Sequence, residues 1–146
     1  MPEPKVTLVN NVPMHFSVGA YIKRNGKILL IDRAKPPYGW AGPAGHIDED
    51  GGIEEDPQKV LFREVYEEVG LHVVSHKLRF SEKLDWNICR RGVSVHYWYL
   101  FECTVLGVLR PNKKETKDAR WLTPEEIKNL PIEPAWQYWL KKLKIL

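Results

Sequence analysis

The sequence predicts an α/β fold, a mixed β-sheet with helices on both of its faces. Three observations carry that expectation. Ile28-Leu29-Leu30-Ile31 is a continuous apolar run, as in a strand covered on both sides. Residues 93–106 alternate between two sides that are both rich in large side chains: Val93, Val95, Tyr97, Tyr99, Phe101 and Cys103 on one, Ser94, His96, Trp98, Leu100 and Glu102 on the other. Between these two strands lies a helical pattern, and two more follow near the C-terminus. The total is an α/β/α sandwich, expected as a single domain over residues 1–146.

Taken in order, residues 6–9 make a short first strand. Phe16, Val18, Ala20 and Ile22 alternate with Ser17, Gly19, Tyr21 and Lys23, the pattern of a half-buried strand. Asn25-Gly26 is a strong hairpin signal and leads into the apolar run. Two prolines and a glycine make 34–40 (AKPPYGW) a loop. Trp40-Ala41-Gly42-Pro43-Ala44-Gly45-His46 then leads towards a helix, and its glycines let backbone approach a charged ligand. His46 has two readings here, contact with a phosphate or fixing the loop by hydrogen bonds.

After the helix, 72–75 and 78–84 read as two strands, and Arg90-Arg91-Gly92 as a turn before the longest strand, 93–106. Residues 111–118 (PNKKETKD) form a polar loop, and Arg120-Trp121-Leu122 a short strand. Thr123-Pro124-Glu125-Glu126 is a capping box with proline at the first helical position, opening a helix over 125–130. A last helix over 135–143 carries Trp136, Trp139, Leu140 and Leu143 on its apolar side.

Composition is that of an ordinary globular protein, with 28% charged residues and 43% hydrophobic ones. No apolar run approaches a membrane span, and MPEPKVTLVN is not a signal peptide, so the cytoplasm is the default compartment and no membrane is expected as a partner. The formal net charge of +3 is too small to argue for nucleic acid. Cys89 and Cys103 are the two cysteines; a disulfide framework or a zinc site would need more cysteines or a His/Cys cluster.

The chemistry concentrates in 56–71. Asp56 is placed to cap the first amides, Pro57 suits the first helical position, and Gly70 suits the left-handed stop, with Leu71 packing back. Leu61, Phe62, Val65, Tyr66 and Val69 form one apolar sector at about 100° per residue. Glu64, Glu67 and Glu68 share a neighbouring arc, with Arg63 one turn before Glu67 and able to pair with it. Like charges so close repel on an empty helix. A hard divalent cation among them removes the repulsion, and Mg²⁺ and Mn²⁺ prefer such oxygens; a solvated acidic face is the competing reading.

Glu55, seven intervening residues, then Arg63, Glu64, Val65, Glu67, Glu68, Gly70 and Leu71 resemble the second half of the Nudix box, G-x5-E-x7-R-E-U-x-E-E-x-G-U with U a bulky aliphatic residue. The leading glycine falls at Gly45, in Pro43-Ala44-Gly45-His46, which leaves nine residues before Glu55 instead of five. The four extra residues read as a loop insertion within 48–53.

The resemblance implies the Nudix α/β/α sandwich from about Phe16 onward, and metal-dependent hydrolysis of a pyrophosphate bond in a nucleoside diphosphate linked to another group, a modified nucleoside triphosphate included. It implies Glu64, Glu67 and Glu68 as Mg²⁺ or Mn²⁺ ligands, with Glu64 instead, or also, deprotonating the attacking water. Arg63 would orient Glu67 or Glu55, and Glu55 would reach the site or that arginine. A metal-facing backbone carbonyl belongs near Ala44. Glu115, six residues before Trp121, is similar to a further metal-binding glutamate of some members; an exposed loop glutamate is the competing reading.

Trp86, Trp98, Trp40 and Tyr97 are candidates to stack on a base, against a core role. Arg33, Lys35, Arg90 and Arg91 are candidates for phosphate contact, against a solvated surface. Trp86 and Cys89 stand where some members carry marks of other specificities, which favours a triphosphate-type substrate. The expected partner is a small nucleotide, with no nucleic acid and with a homodimer left open. A regulatory binding module, or an enzyme acting on RNA 5′ ends, are the rival readings.

Overall fold

The doubly covered character of the central run has a direct structural cause. In the computed structural model, which describes residues 6–9, 12–47, 49–50, 53–54, 56–86 and 93–146, strand β3 (Lys27–Arg33) sends Ile28 and Leu30 to one face and Leu29 and Ile31 to the other. Each pair enters a separate core. β1 (Val6–Val9) pairs antiparallel with β2 (Val12–Arg24), which turns at Asn25-Gly26 into β3. Both turn residues have positive φ, 52° and 74°, as this type of tight hairpin requires.

The hairpin soon splays. β2 and β3 pair only at Lys23 with Ile28 and Arg24 with Lys27, and the widening gap takes in the segment 40–46. There β4 (Trp40–Ala41) pairs with β3 and β5 (Ala44–His46) pairs with β2. This wedge is what positions the acidic helix. The short strands β6 (Glu49–Asp50) and β7 (Ile53–Glu54) come next, then helix α1 (Pro57–Val69) and β8 (His72–Leu84). β9 (Val95–Leu106) runs parallel to β2 and antiparallel to β8, and β10 (Thr116–Leu122) closes the far edge beside β3. The order is β10-β3-β2-β9-β8, a mixed sheet.

One face is covered by α1 and holds Val18, Ile22, Leu29, Val65, Leu71 and Phe101. The other is covered by α2 (Pro124–Ile127) and α3 (Pro134–Lys142) and is rich in tryptophan: Trp40, Trp98, Trp136 and Trp139 are all buried. The sandwich expected from the sequence is therefore present, with both layers where the alternation put them.

Several boundaries differ. Residues 72–84 form one strand, because bulges at 73–75 and 78–80 absorb the irregular pattern without ending the ladder. β9 begins at Val95 and, at 12 residues, is shorter than β2 and β8, at 13 each. The expected polar loop at 111–118 is already strand from Thr116. The helix expected over 125–130 is a single turn, Pro124–Ile127. Its capping box is as expected, Glu126 N–H donating to Thr123 Oγ1 (3.2 Å) and Thr123 N–H to Glu126 Oε1 (3.0 Å). Asp56, by contrast, makes no side-chain cap; its backbone carbonyl accepts from Lys59 N–H (3.0 Å) instead.

The apolar stripe of α1 is also rolled from the expected one. Val60, Leu61, Val65 and Val69 are buried, while Phe62 and Tyr66 are exposed. These two rings lie on the rim against His76 and His72 of β8, at centroid distances of 5.2 and 5.0 Å. The roll turns Glu68 inward. Gly70 ends the helix at φ 73°, and the chain returns to hold its last carbonyls: Arg110 N–H donates to Val69 O (2.7 Å) and Asn112 N–H to Glu68 O (2.8 Å). No helix among the described residues is long and apolar enough to cross a membrane. The turn at 90–92, Cys89 and Glu55 lie outside the described residues.

Candidate active site

The site is built by the later turns of α1 and the wedge strand β5. Alternation along β5 sends Ala44 and His46 to the tryptophan face and turns the Gly45 position towards α1. A Cβ added at Gly45 would stand 2.2 Å from Glu64 Cδ and 2.5 Å from its Oε1. Only a glycine lets the strand lie on this carboxylate. One residue back, Ala44 N–H donates to Glu68 Oε2 at 3.3 Å. β5 thus presses both acids into one corner.

Their exposures grade across the helix. Glu68 is buried, Glu64 is half-buried and Glu67 faces solvent. Burial pushes the Glu68 carboxyl well above the ordinary carboxylate range, and the negative charge of Glu64 pushes it further. The Arg33 charge and the Ala44 amide pull the other way, and Glu115 adds to the repulsion. The described ion contact of Arg63 is with its neighbour, Glu64, Nη2 to Oε1 3.6 Å. The pairing expected one turn on, with Glu67, is not the one described.

This donor set fits a hard divalent cation. It offers oxygens, one of them buried beside another negative charge, under a strand whose backbone comes close only because position 45 has no side chain. Of the segment before α1, residues 49–50 and 53–54 are described, and they pair antiparallel as β6 and β7.

The remaining candidates scatter. Glu115 is exposed and pairs with Lys35 (3.1 Å), yet its charge reaches Glu68, which puts it at the rim of the acid corner. Arg33, a candidate for phosphate contact, donates from Nε to Pro37 O (2.7 Å) and braces the 36–37 loop. Trp98 and Trp40 are buried; Trp98 sits against Trp139, centroids 5.9 Å apart, in the core of the opposite face. Trp86 is exposed and rests edge-on against Tyr138 of α3. His46 joins His15 and His96 on the tryptophan face, not the carboxylates. Gly70 stops the helix, as expected.

Sequence reasoning passed over two features. Glu133 is buried and caps α3, accepting from Ala135 N–H (3.0 Å) and Trp136 N–H (3.3 Å); an acid just before a proline and an apolar helix was the available signal. The three histidines had no local signal at all, since they stand on β2, β5 and β9.

Comparison with known proteins agrees with this fold. The NUDIX domain model matches residues 13–143. A MutT-like protein of Streptomyces ambofaciens is 29% identical over 109 residues, 75% of this chain; the match spans only 63% of that relative's length. The fold is shared with the MutT NUDIX hydrolase from Burkholderia pseudomallei (TM-score 0.74, 22% identity, 88% of this chain and 96% of that one). It is shared also with the NUDIX domain of Shewanella oneidensis NrtR, solved complexed with ADP ribose (TM-score 0.67, 16% identity, 90% and 85%).

Proposed function

Because the chain belongs to the NUDIX domain family, we propose that it hydrolyses a phosphoanhydride bond in a nucleoside diphosphate linked to another group, with a nucleoside triphosphate, modified or not, as the leading substrate class. The observation that carries this reading is the acid corner, with Glu68 buried, Glu64 beside it, and Gly45 bare above them. Such a corner is unfavourable when empty and favourable around a divalent cation, Mg²⁺ or Mn²⁺. When bound, that ion neutralises phosphate oxygens and makes a water more acidic.

The chain's own residues then have distinct tasks. Glu67, which is exposed, and Glu68, which is buried, would hold the cation. Glu64 lies against the bare backbone at Gly45 and pairs with Arg63, and its carboxylate would take the proton of the attacking water. In the reaction a new bond forms from the water oxygen to phosphorus, and the bridging P–O bond breaks. The bridging oxygen leaves on the departing phosphate, and the water's proton passes to the carboxylate. Positioning and charge do most of this work in phosphoryl transfer. Glu115 and the backbone at Ala44 border the same corner and are its further candidate ligands.

A panel of nucleoside triphosphates and nucleoside diphosphate conjugates, incubated with and without Mg²⁺ or Mn²⁺, tests the reading through release of phosphate or pyrophosphate. Turnover of at least one class, only with metal, is expected. The second reading is a nucleotide-binding module; the ADP-ribose complex of the Shewanella NUDIX domain is what favours it. Tight nucleotide binding with no turnover of any compound would select it.

A further inference from the structure

A second set of convergent ligands lies on the other side of the wedge strand. His15 on β2 and His96 on β9 are direct partners across the parallel pair. His46 on β5 is partnered with Ser17, two residues along β2 from His15, and so projects from the same face. Ring centroids are 4.4 Å apart for His15 and His46, 5.5 Å for His15 and His96, and 5.6 Å for His46 and His96. One ring nitrogen from each histidine lies within 4.8 Å of the other two.

Three features separate this set from an ordinary polar patch. It is inside the protein: His15 and His96 are each 1% exposed, and His46 is half-buried. It is fixed by the sheet, because each histidine stands on a paired strand and not on a loop. Among the described residues its three members are all imidazoles, so its chemistry is nitrogen chemistry. A fourth polar group shares the face: Ser17 Oγ is buried and has no hydrogen-bond partner among the described residues. A cation with a bound water offers such a hydroxyl a partner.

We propose that His15, His46 and His96 form a binding site for a borderline first-row cation, Zn²⁺ being the best fit, distinct from the carboxylate corner on α1. Imidazole nitrogens bind zinc at about 2.0–2.1 Å. A regular tetrahedral set then needs nitrogens about 3.4 Å apart. The observed spread, within 4.8 Å, is wider than this, so binding requires the three rings to turn inward. Three protein ligands leave a fourth position for water or a small ligand, on the half-exposed side at His46. The two sites select differently. Oxygen donors at Glu64 and Glu68 suit magnesium or manganese, and an all-imidazole set suits zinc. The inference stands apart from the hydrolase reading, since it concerns other residues on another face.

The full chain, stripped with a chelator and then titrated with Zn²⁺ alone, tests it. A tightly held equivalent is expected, with nitrogen scatterers and imidazole outer-shell features in the zinc-edge X-ray absorption spectrum. The E67Q/E68Q variant, which removes two carboxylates, should hold zinc as well as wild type. The H46Q variant should lose more than about a hundredfold in zinc affinity, beyond what loss of a merely orienting partner gives. His46 is chosen because it is the least buried of the three, and circular dichroism checks that the variant folds; the spectrum of the wild type stands as a second, mutation-free readout. A first shell of oxygens only, no tight zinc, or zinc binding lost in E67Q/E68Q and kept in H46Q would each overturn the proposal.

Discussion

Gly45 and His46 are neighbours on one three-residue strand, yet they serve opposite faces of the sheet. On the Gly45 side, the strand backbone rests on two glutamates of a single helix. On the His46 side, three imidazoles meet from three strands. The first cluster is local, charged and graded from buried to exposed; the second is assembled across the sheet and largely enclosed. The difference teaches how far a ligand set can be read from its spacing. A helix writes its neighbours three and four residues apart, whereas a sheet writes them in the register of strands that are distant in the chain.

The strongest way to break the comparison is at the acids. E67Q/E68Q should lose about 10³-fold in turnover, the upper range for removal of a charge-stabilising group, with a circular dichroism spectrum like wild type. Steady-state hydrolysis measures it; near-normal turnover would detach the chemistry from α1. G45A comes next. Its methyl must displace Glu64, and about 10²-fold loss of turnover is expected, the scale of a 1 Å misplacement, without loss of the fold. If G45A is as active as wild type, the close approach of β5 is incidental.

On the other face the expected effect is on stability. Zinc at a hundred times its dissociation constant should raise the unfolding free energy by about 2.7 kcal/mol in wild type and by far less in H46Q, as read from denaturant melts. Two remote changes sharpen the contrast by touching neither site. T123A removes the capping box of α2 and should cost about 1 kcal/mol, with turnover unchanged. Glu82 gives the smallest effect. Burial pushes its carboxyl up, but hydrogen bonds donated by Lys142 and Tyr138 outweigh this and hold it below the ordinary range. Its contribution is therefore present above that range and fades as pH falls through the lowered value. E82Q should abolish that acid-side loss, worth no more than about 1 kcal/mol for a pair this near the surface.

Much of the fold was legible because its signals are local. The run Ile28–Ile31, the Asn25-Gly26 turn, the Thr123 box and the Gly70 stop each depend on a few adjacent residues, and each is found as expected. The same holds for the acids, placed together by helical spacing alone. Where the reading missed, a non-local choice decided. Periodicity gave α1 an apolar side but not its roll, which exposed Phe62 and Tyr66 and buried Glu68. Bulges joined two expected strands into β8. Trp98 offered a stacking surface on paper and became core because α3 covers its face. The histidines were invisible because nothing near His15 announces a parallel pairing with residues 95–103.

The central claim is that the acids on α1 grip a divalent cation. The most direct measurement is a Mn²⁺ titration of the metal-free chain followed by electron paramagnetic resonance, wild type beside E67Q/E68Q. Our account predicts saturable loss of the free-ion signal in wild type, reversed by Mg²⁺ and strongly weakened in the variant. Equal Mn²⁺ binding by both proteins, or none by wild type, would contradict it.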